Sequence, residues 1–323
     1  MFVLGLQGSP RLKGNTNHLL QLFLDAVHER GAETKVLHAA RLNISPCTGC
    51  GHCERKGFCA IRDDDMVTTV YPLLRRADLV VLASPVYFYN VPAQMKALID
   101  RSQALWSRKY KHSLEDPGRP HRKGVMLAVG ATKGKNLFDG MSLTARYFFD
   151  AIGAEYVDML GYRRVEEIGE LEKVDSVASD VEALIGKISP LFVRKKILFA
   201  CRENAGRSQM ASAFARMLGG NRIDALDAGS TPAERVNPLM ETVMAEAGID
   251  MAYRRPRSIE AVTAETRPDM IITMGCGEQC PFIPGVEYRD WDLPDPAGQP
   301  VEFIRQVRDD IKQRVEKLIA ELG

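Results

Sequence analysis

The chain begins the same structural sentence twice. Phe2-Val3-Leu4-Gly5-Leu6 is a short apolar run, followed by a small-residue loop and then by Leu19, Leu20, Phe23, Leu24 and Val27 at helical spacing from Thr16. Far downstream, Ile197–Ala200, the loop Cys201–Arg207 and the helical run Ser208–Leu218 repeat that order with different residues. A strand that feeds a helix through a tight polar loop is the building unit of a parallel sheet covered on both faces. The rest of the pattern agrees. Strands are expected at Thr34–Leu37, Leu79–Ala83, Val125–Val129 and Tyr156–Leu160, with helices near Asp64–Arg76, Ala93–Ser102, Met141–Ile152 and Leu171–Ile188. Past Ser189-Pro190 and the basic cluster Arg194-Lys195-Lys196, Ala225–Ala228 and Met270–Thr273 read as strands and Val301–Leu322 as a closing helix. The expected fold class is α/β, with two tandem parallel-sheet domains over residues 1–190 and 195–323. A length of 323 residues fits that count at about 150 per domain.

Bulk properties exclude several classes. Hydrophobic residues at 45% and charged residues at 26% are ordinary for a soluble globular chain, which rules out long disorder. A net charge of +1 lacks the basic excess of a nucleic-acid binder. No apolar run approaches the roughly 18 residues of a membrane span. The start MFVLGLQGSPRLKGNT also lacks the basic lead and apolar core of a secretory signal, so a cytoplasmic location is expected. In that compartment thiols stay reduced, and clustered cysteines point to metal or redox chemistry rather than to staples.

Seven cysteines are present, and four lie within thirteen residues: Cys47, Cys50, Cys53 and Cys59. Four thiolates at such density suit an iron–sulfur cluster or tetrahedral zinc, and free thiols are the third reading. The remaining three are Cys201, Cys276 and Cys280. All six histidines precede residue 122, so the second half has no imidazole to act as base or ligand.

In the opening loop, Gly8-Ser9-Pro10-Arg11-x-x-Gly14-Asn15-Thr16, the helix start offers free N–H groups and a partial positive charge to an anion. A plain helix cap would read the same way. The aromatic-rich segment Ser84-Pro85-Val86-Tyr87-Phe88-Tyr89-Asn90-Val91-Pro92 follows an apolar strand at the carboxyl edge, where open α/β sheets bind ligands. Together the two loops resemble the flavodoxin-like NAD(P)H-dependent FMN reductases over about residues 1–188. The resemblance implies FMN with its phosphate at Ser9, Arg11, Asn15 and Thr16, its ring near Pro85, Val86, Tyr87, Asn90 and Gly130, and NAD(P)H as electron donor. It also implies a homo-oligomer. The spacing of Cys47, Cys50, Cys53 and Cys59 is similar to that of iron–sulfur flavoproteins, which implies a 4Fe–4S cluster passing electrons to FMN. Many flavodoxin-like reductases carry a comparable cysteine stretch before Asp-Asp-Met, here Asp64-Asp65-Met66, without a cluster.

Cys201-Arg202-Glu203-Asn204-Ala205-Gly206-Arg207-Ser208 is C-x5-R-S between a strand and a helix. Five residues wrapped in that position can aim successive N–H groups at one tetrahedral oxyanion, with Arg207 as a bidentate fork. The same groups favour a thiolate at Cys201, and Ser208 can donate to its sulfur. The motif resembles the low-molecular-weight protein tyrosine phosphatase fold over about residues 195–323, and Ser208-Gln209-Met210-Ala211 looks like its arsenate reductase branch. The family match implies Cys201 as nucleophile, with Asn204, Arg207 and Ser208 around it and Asp295 of Asp295-Pro296 as general acid. Ala297 stands where a phosphatase typically has tyrosine, which disfavours phosphotyrosine. Cys276 and Cys280 would be the resolving thiols of an arsenate reductase, although they stand closer together than in thioredoxin-coupled members. A disulfide or a zinc half-site is the plainer account of the pair. The expectation is an arsenate reductase fused to an FMN reductase domain that supplies electrons, with thioredoxin, a redoxin or a small thiol as partner. The alternatives are a low-molecular-weight phosphatase fused to a flavin reductase, and a flavin or iron–sulfur redox sensor.

Overall fold

The computed structural model describes residues 1–275 and 282–322. It divides into two compact units: Met1–Ser113 with His121–Phe192, and Val193 onward with the short segment Leu114–Pro120.

The first unit is a five-stranded, wholly parallel sheet in the order β2-β1-β3-β4-β5, formed by β1 (Phe2–Gln7), β2 (Glu33–His38), β3 (Leu79–Pro85), β4 (Lys123–Gly130) and β5 (Glu155–Arg163). Its helices are α1 (Asn15–Glu29), α2 (His52–Lys56), α3 (Tyr71–Arg76), α4 (Ala93–Arg101), α5 (Gln103–Tyr110), α6 (Asp139–Ala151) and α7 (Val177–Gly186). β1, β3 and β4 are apolar on both faces, as central parallel strands must be. The edge strand β2 is only half-buried. Because β2 and β3 lie on opposite sides of β1, the direction of winding reverses there, and a crevice opens at the carboxyl ends of β1 and β3.

The five strands expected from the sequence are all present, but two helices were read too simply. Asp64–Arg76 is a π-turn over Met66–Val70 running into α3, because Pro72 has no N–H to continue an even helical ladder. Leu171–Ile188 is interrupted at the extended Val174, which separates a 3₁₀ turn from α7.

The second unit is a four-stranded parallel sheet in the order β7-β6-β8-β9, from β6 (Lys195–Cys201), β7 (Ile223–Gly229), β8 (Met270–Thr273) and β9 (Glu287–Asp290). Its helices are α8 (Arg207–Gly219), α9 (Pro238–Glu246), α10 (Ile259–Glu265) and α11 (Val301–Glu321). α8 is buried along nearly its whole length, with Met210 and Phe214 packed among Phe199, Ile223, Trp291, Val307, Ile311 and Val315. β9 escaped the sequence reading because Glu-Tyr-Arg-Asp carries no apolar run; it is an edge strand guarded by charge. The segment Leu114–Pro120 pairs with this unit, where Glu115 N–H donates to Gly248 O (2.8 Å) and Asp250 N–H to Glu115 O (2.8 Å). None of the helices among the described residues is long and apolar enough to cross a membrane.

One buried ion pair closes the neck of the cysteine-bearing loop in the first unit. Arg101 on α4, fully buried, donates to both carboxylate oxygens of Asp64 (2.5 and 3.2 Å) and to the carbonyls of Ser45 (2.8 Å) and Ile61 (3.1 Å). Both ends of the loop are thus pinned by one guanidinium. Replacing Arg101 by leucine leaves the Asp64 carboxylate buried and unpaired, a loss of about 3–5 kcal/mol. Urea unfolding followed by circular dichroism is expected to register it as an early transition, with protease cleavage appearing between residues 45 and 61.

Candidate functional site

At the crevice of the first unit three loops come together. α1 begins without any side-chain cap and without an acidic residue in its first turn, so its leading N–H groups remain an attractive site for an anion. Ser9 and Thr16 are buried beside it and Arg11 is exposed. Ser9 Oγ accepts from Arg11 N–H (3.1 Å), which curls the loop over the helix start. Asn15 serves the scaffold: its Nδ2 donates to Glu167 O (2.7 Å), and its Oδ1 accepts from the N–H of Gly169 (3.1 Å) and Leu171 (3.4 Å).

After β3, Tyr87 and Asn90 exchange backbone hydrogen bonds (2.8 and 2.9 Å) across Phe88 and Tyr89, both at positive φ. This is a two-residue hairpin turn of the primed type, and it holds Tyr87, Phe88 and Tyr89 out toward solvent. Pro85 and Val86 are half-buried, and Val86 N–H donates to Val129 O (2.9 Å), which ties the loop to the end of β4 beside Gly130. Asn90 Oδ1 accepts from Val91 N–H (2.8 Å) and Thr144 Oγ1 (3.2 Å). The sequence-derived ring and phosphate residues therefore share one sheet edge. An uncapped helix start next to an aromatic turn fits the phosphate and ring of FMN.

The cysteine loop is different. Cys47 and Cys50 are exposed, Cys53 and Cys59 half-buried, and all four are free thiols. Among the described residues no three Cys, His, Asp or Glu side chains are placed to share one metal ion. The donors are of the right kind for an iron–sulfur cluster but do not converge on one. Cys50 stands apart electrostatically. The His52 backbone N–H, the Thr48 hydroxyl and, more weakly, Arg55 hold its thiol below the ordinary range, against a smaller opposing effect of desolvation.

In the second unit the loop after β6 is shaped by where its carbonyls go. Those of Cys201, Arg202, Glu203 and Ala205 accept from the N–H groups of Ser230 (3.1 Å), Thr231 (2.8 Å), Ala233 (2.9 Å) and Asn237 (2.9 Å). A trans peptide points its N–H away from its carbonyl, so the N–H groups that follow these carbonyls face the interior of the turn. Asn204, at positive φ, donates its N–H to Cys201 Sγ (3.3 Å), and Ser208 Oγ lies 3.0 Å from the same sulfur.

The resulting cavity, about 200 Å³, is lined by Cys201, Arg202, Gly206, Arg207, Asp295 and Pro296 among others. Arg207 is buried; its Nη1 donates to Leu293 O (3.1 Å) and its Nη2 lies 3.4 Å from Asp295 Oδ1. Asp295 is 60% exposed and reaches the cavity from the opposite wall. Cys201, Asn204, Arg207, Ser208 and Asp295 are thus gathered at one place. Cys276 and Cys280 lie outside the described residues.

Two glycines that the sequence reading passed over permit this geometry. A Cβ on Gly229 would stand 2.7 Å from Arg202 O and from Asn204 N, against the back of the loop. A Cβ on Gly275, which is at φ +70°, would stand 2.8 Å from Arg207 Nη1. Asp227, which bonds Asn204, was also missed; its sequence signal is a carboxylate inside the apolar run Ala225-Leu226-Asp227-Ala228.

Gly229→Ala is expected to displace the loop backbone, weakening phosphate binding by about tenfold or more and costing about 1–3 kcal/mol of stability. Calorimetric titration with phosphate and a thermal melt would measure the two effects. In the first unit, iodoacetamide near neutral pH is expected to label Cys50 ahead of Cys47, Cys53 and Cys59, since a thiol held low is more ionised there. Peptide mapping over a time course reads that order directly.

Residues 1–158 match the family model described as NADPH-dependent FMN reductase, and residues 196–323 that described as low molecular weight phosphotyrosine protein phosphatase. A putative arsenate reductase of Halobacterium salinarum is 40% identical over 133 residues, covering 40% of this chain and 93% of that protein. The glutaredoxin arsenate reductase of a Synechocystis species is 38% identical over 131 residues, covering 40% of this chain and 99% of the relative. An iron–sulfur flavoprotein of Methanocaldococcus jannaschii is 44% identical over 105 residues, 32% of this chain and 53% of its own length. The chain therefore spans about half of that flavoprotein.

Proposed function

We propose, from the premise that the chain belongs to the arsenate reductases built on the low molecular weight phosphatase fold and carries an NADPH-dependent FMN reductase domain ahead of it, that Cys201 reduces arsenate to arsenite. The chain is a two-domain oxidoreductase. The observation that carries the reading is the cavity in which Cys201, Arg207 and Asp295 meet over an inward-facing run of peptide N–H groups.

A tetrahedral oxyanion sits among those N–H groups and Arg207, which neutralise its charge without any need for histidine. Cys201 Sγ attacks arsenic, and Asp295 gives a proton to the oxygen that leaves as water. A second thiol, Cys276 or Cys280, then attacks Cys201 Sγ. The sulfur–arsenic bond breaks, its electron pair stays on arsenic, and arsenite departs as a disulfide forms. Two electrons pass from two thiols to arsenic, so the disulfide must be reduced before the next cycle. A redoxin, thioredoxin or a small thiol serves that end.

In the first domain, Ser9, Arg11, Thr16 and the start of α1 would hold the FMN phosphate. Pro85, Val86, Tyr87, Asn90 and Gly130 would border the ring, with Asn15 bracing the segment at Glu167–Leu171. FMN, when bound, supplies a hydride acceptor for NAD(P)H and a store of two electrons. With FMN bound, the first domain would be a further source of reducing equivalents for the disulfide of the second, replacing or helping the redoxin or small thiol.

Wild-type protein given arsenate and a glutaredoxin, thioredoxin or glutathione system is expected to form arsenite, measured by arsenic speciation. Cys201→Ser is expected to abolish it. Cys276→Ser/Cys280→Ser is expected to lose turnover while still binding arsenate. Unimpaired hydrolysis of a phosphate ester by that double variant, with no arsenite from the wild type, would replace this reading with a phosphatase. Anaerobic NADPH or NADH oxidation that rises on adding arsenate, without any redoxin, is the expected sign that the flavin domain supplies the electrons.

A further inference from the structure

Behind the Cys201 loop runs a chain of polar side chains that the proposed chemistry does not use. Asp227, on β7, accepts from Asn204 Nδ2 with one oxygen (3.0 Å). With the other it accepts from Ser212 Oγ (2.8 Å) and faces Arg254 Nη2 at 3.4 Å. Arg254 also donates to Ser212 Oγ (3.1 Å) and to the carbonyl of Gln209 (3.2 Å). The two side chains are 13% and 15% exposed, so the pair is largely removed from water.

The directions of the hydrogens at Asn204 are fixed. Arg257 N–H, which can only donate, lies 2.8 Å from Asn204 Oδ1, and Gln209 Nε2 reaches the same oxygen at 3.2 Å. The Asn204 amide must therefore turn its Nδ2 toward Ser208 and Asp227. One of its two hydrogens goes to Ser208 Oγ at 2.8 Å and the other to Asp227. With Ser208 Oγ already accepting, its own hydrogen is available to Cys201 Sγ. The sulfur is then placed to receive two hydrogens, from Asn204 N–H and from Ser208, an arrangement that would favour a thiolate. The liability is Asp227 itself: a carboxylate behind an anion site repels both the thiolate and the oxyanion, unless a cation answers it.

We propose that Asp227 and Arg254 are positioning residues for the nucleophile. Asp227 holds Asn204 so that Ser208 donates to Cys201, and Arg254 cancels the carboxylate's charge. The proposal rests on the reading of Cys201 as the nucleophile but not on arsenate as its substrate. Among the described residues, the other charged groups around the sulfur are Arg202 and Glu203 on the loop, Arg207 at the start of α8, Asp295 across the cavity and Arg257 beside Asn204. All of them stay unaltered in the test.

The test follows alkylation of Cys201 by iodoacetamide from about pH 5 to 9, by mass spectrometry of the Cys201 peptide in the full chain. Phosphate protection and a thermal melt are recorded for each variant. Arg254→Met is expected to raise the alkylation midpoint by about one pH unit, slowing labelling about tenfold below it, and to weaken phosphate protection by a similar factor. Arg254→Lys is expected to recover most of both. Asp227→Asn/Arg254→Met, which keeps an acceptor for Asn204 without the charge, should return toward wild type. Asp227→Leu/Arg254→Met, which keeps neither, should not. A purely structural pair would lower the melting temperature and leave the midpoint in place. If Arg254→Met does not fold, Arg254→Gln is read in the same way. Midpoints for all folded variants within a few tenths of wild type would overturn the proposal. A wild-type midpoint at or above the ordinary thiol value of about 8.5 would instead overturn Cys201 as an activated nucleophile.

Discussion

The direction in which a handful of peptide groups point governs the second unit. Four carbonyls of the Cys201 loop are drawn outward by the segment from Ser230 to Asn237, and their partner N–H groups are thereby turned inward. No charged side chain alone could do this as well, because backbone dipoles held by a folded chain need no reorganisation when an anion arrives. The glycines at 229 and 275 belong to the same constraint, since each clears space for a polar group that must not move. The absence of histidine from this half of the chain then matters little. A thiol that sits in a ring of donors needs no base beside it.

The first unit obeys a related rule with weaker local instructions. Its crevice arises where winding reverses between β1 and β3, and the chain places there an uncapped helix start and a tight aromatic turn. A capping side chain at position 14 would have satisfied the first N–H groups of α1, whereas glycine leaves them to a ligand. The cysteine loop, by contrast, is defined by its neck. Arg101 and Asp64 bring Ser45 and Ile61 together, but among the described residues the four sulfurs beyond that clamp do not gather around one point.

Both units place their candidate site residues at the carboxyl edge of a parallel sheet, and in both the strand that carries the loop lies inside its sheet and ends buried. A strand such as Ile197–Cys201, apolar on both faces, fixes the end of its chain closely, and Cys201 inherits that rigidity. The loop tips are where specificity resides: Glu203, Asp295 and Ala297 border one cavity, and Tyr87 to Asn90 border the other edge.

Local pattern was enough to reveal every strand but β9, and both loops. Continuous apolar runs of that length, bounded by turn residues, fit buried parallel strands, and C-x5-R-S between such a strand and a helix carries its mechanism in its spacing. Charged β9, the π-turn ahead of Pro72 and the break at Val174 were hidden because each is imposed by neighbours or by one backbone group rather than by hydrophobic period. The bonds of Asn15 to the Glu167–Leu171 segment, more than 150 residues away, lie at a distance no local reading spans. Asp227 and Arg254 were invisible for the same reason: their meaning lies in hydrogen directions at Asn204, and those exist only once β6, β7 and the segment at Arg257 have been brought together. The sequence by itself determined which thiol and polar groups the two loops carry; the tertiary structure decided which way their hydrogens point, because donors and acceptors are chosen by partners that only folding supplies.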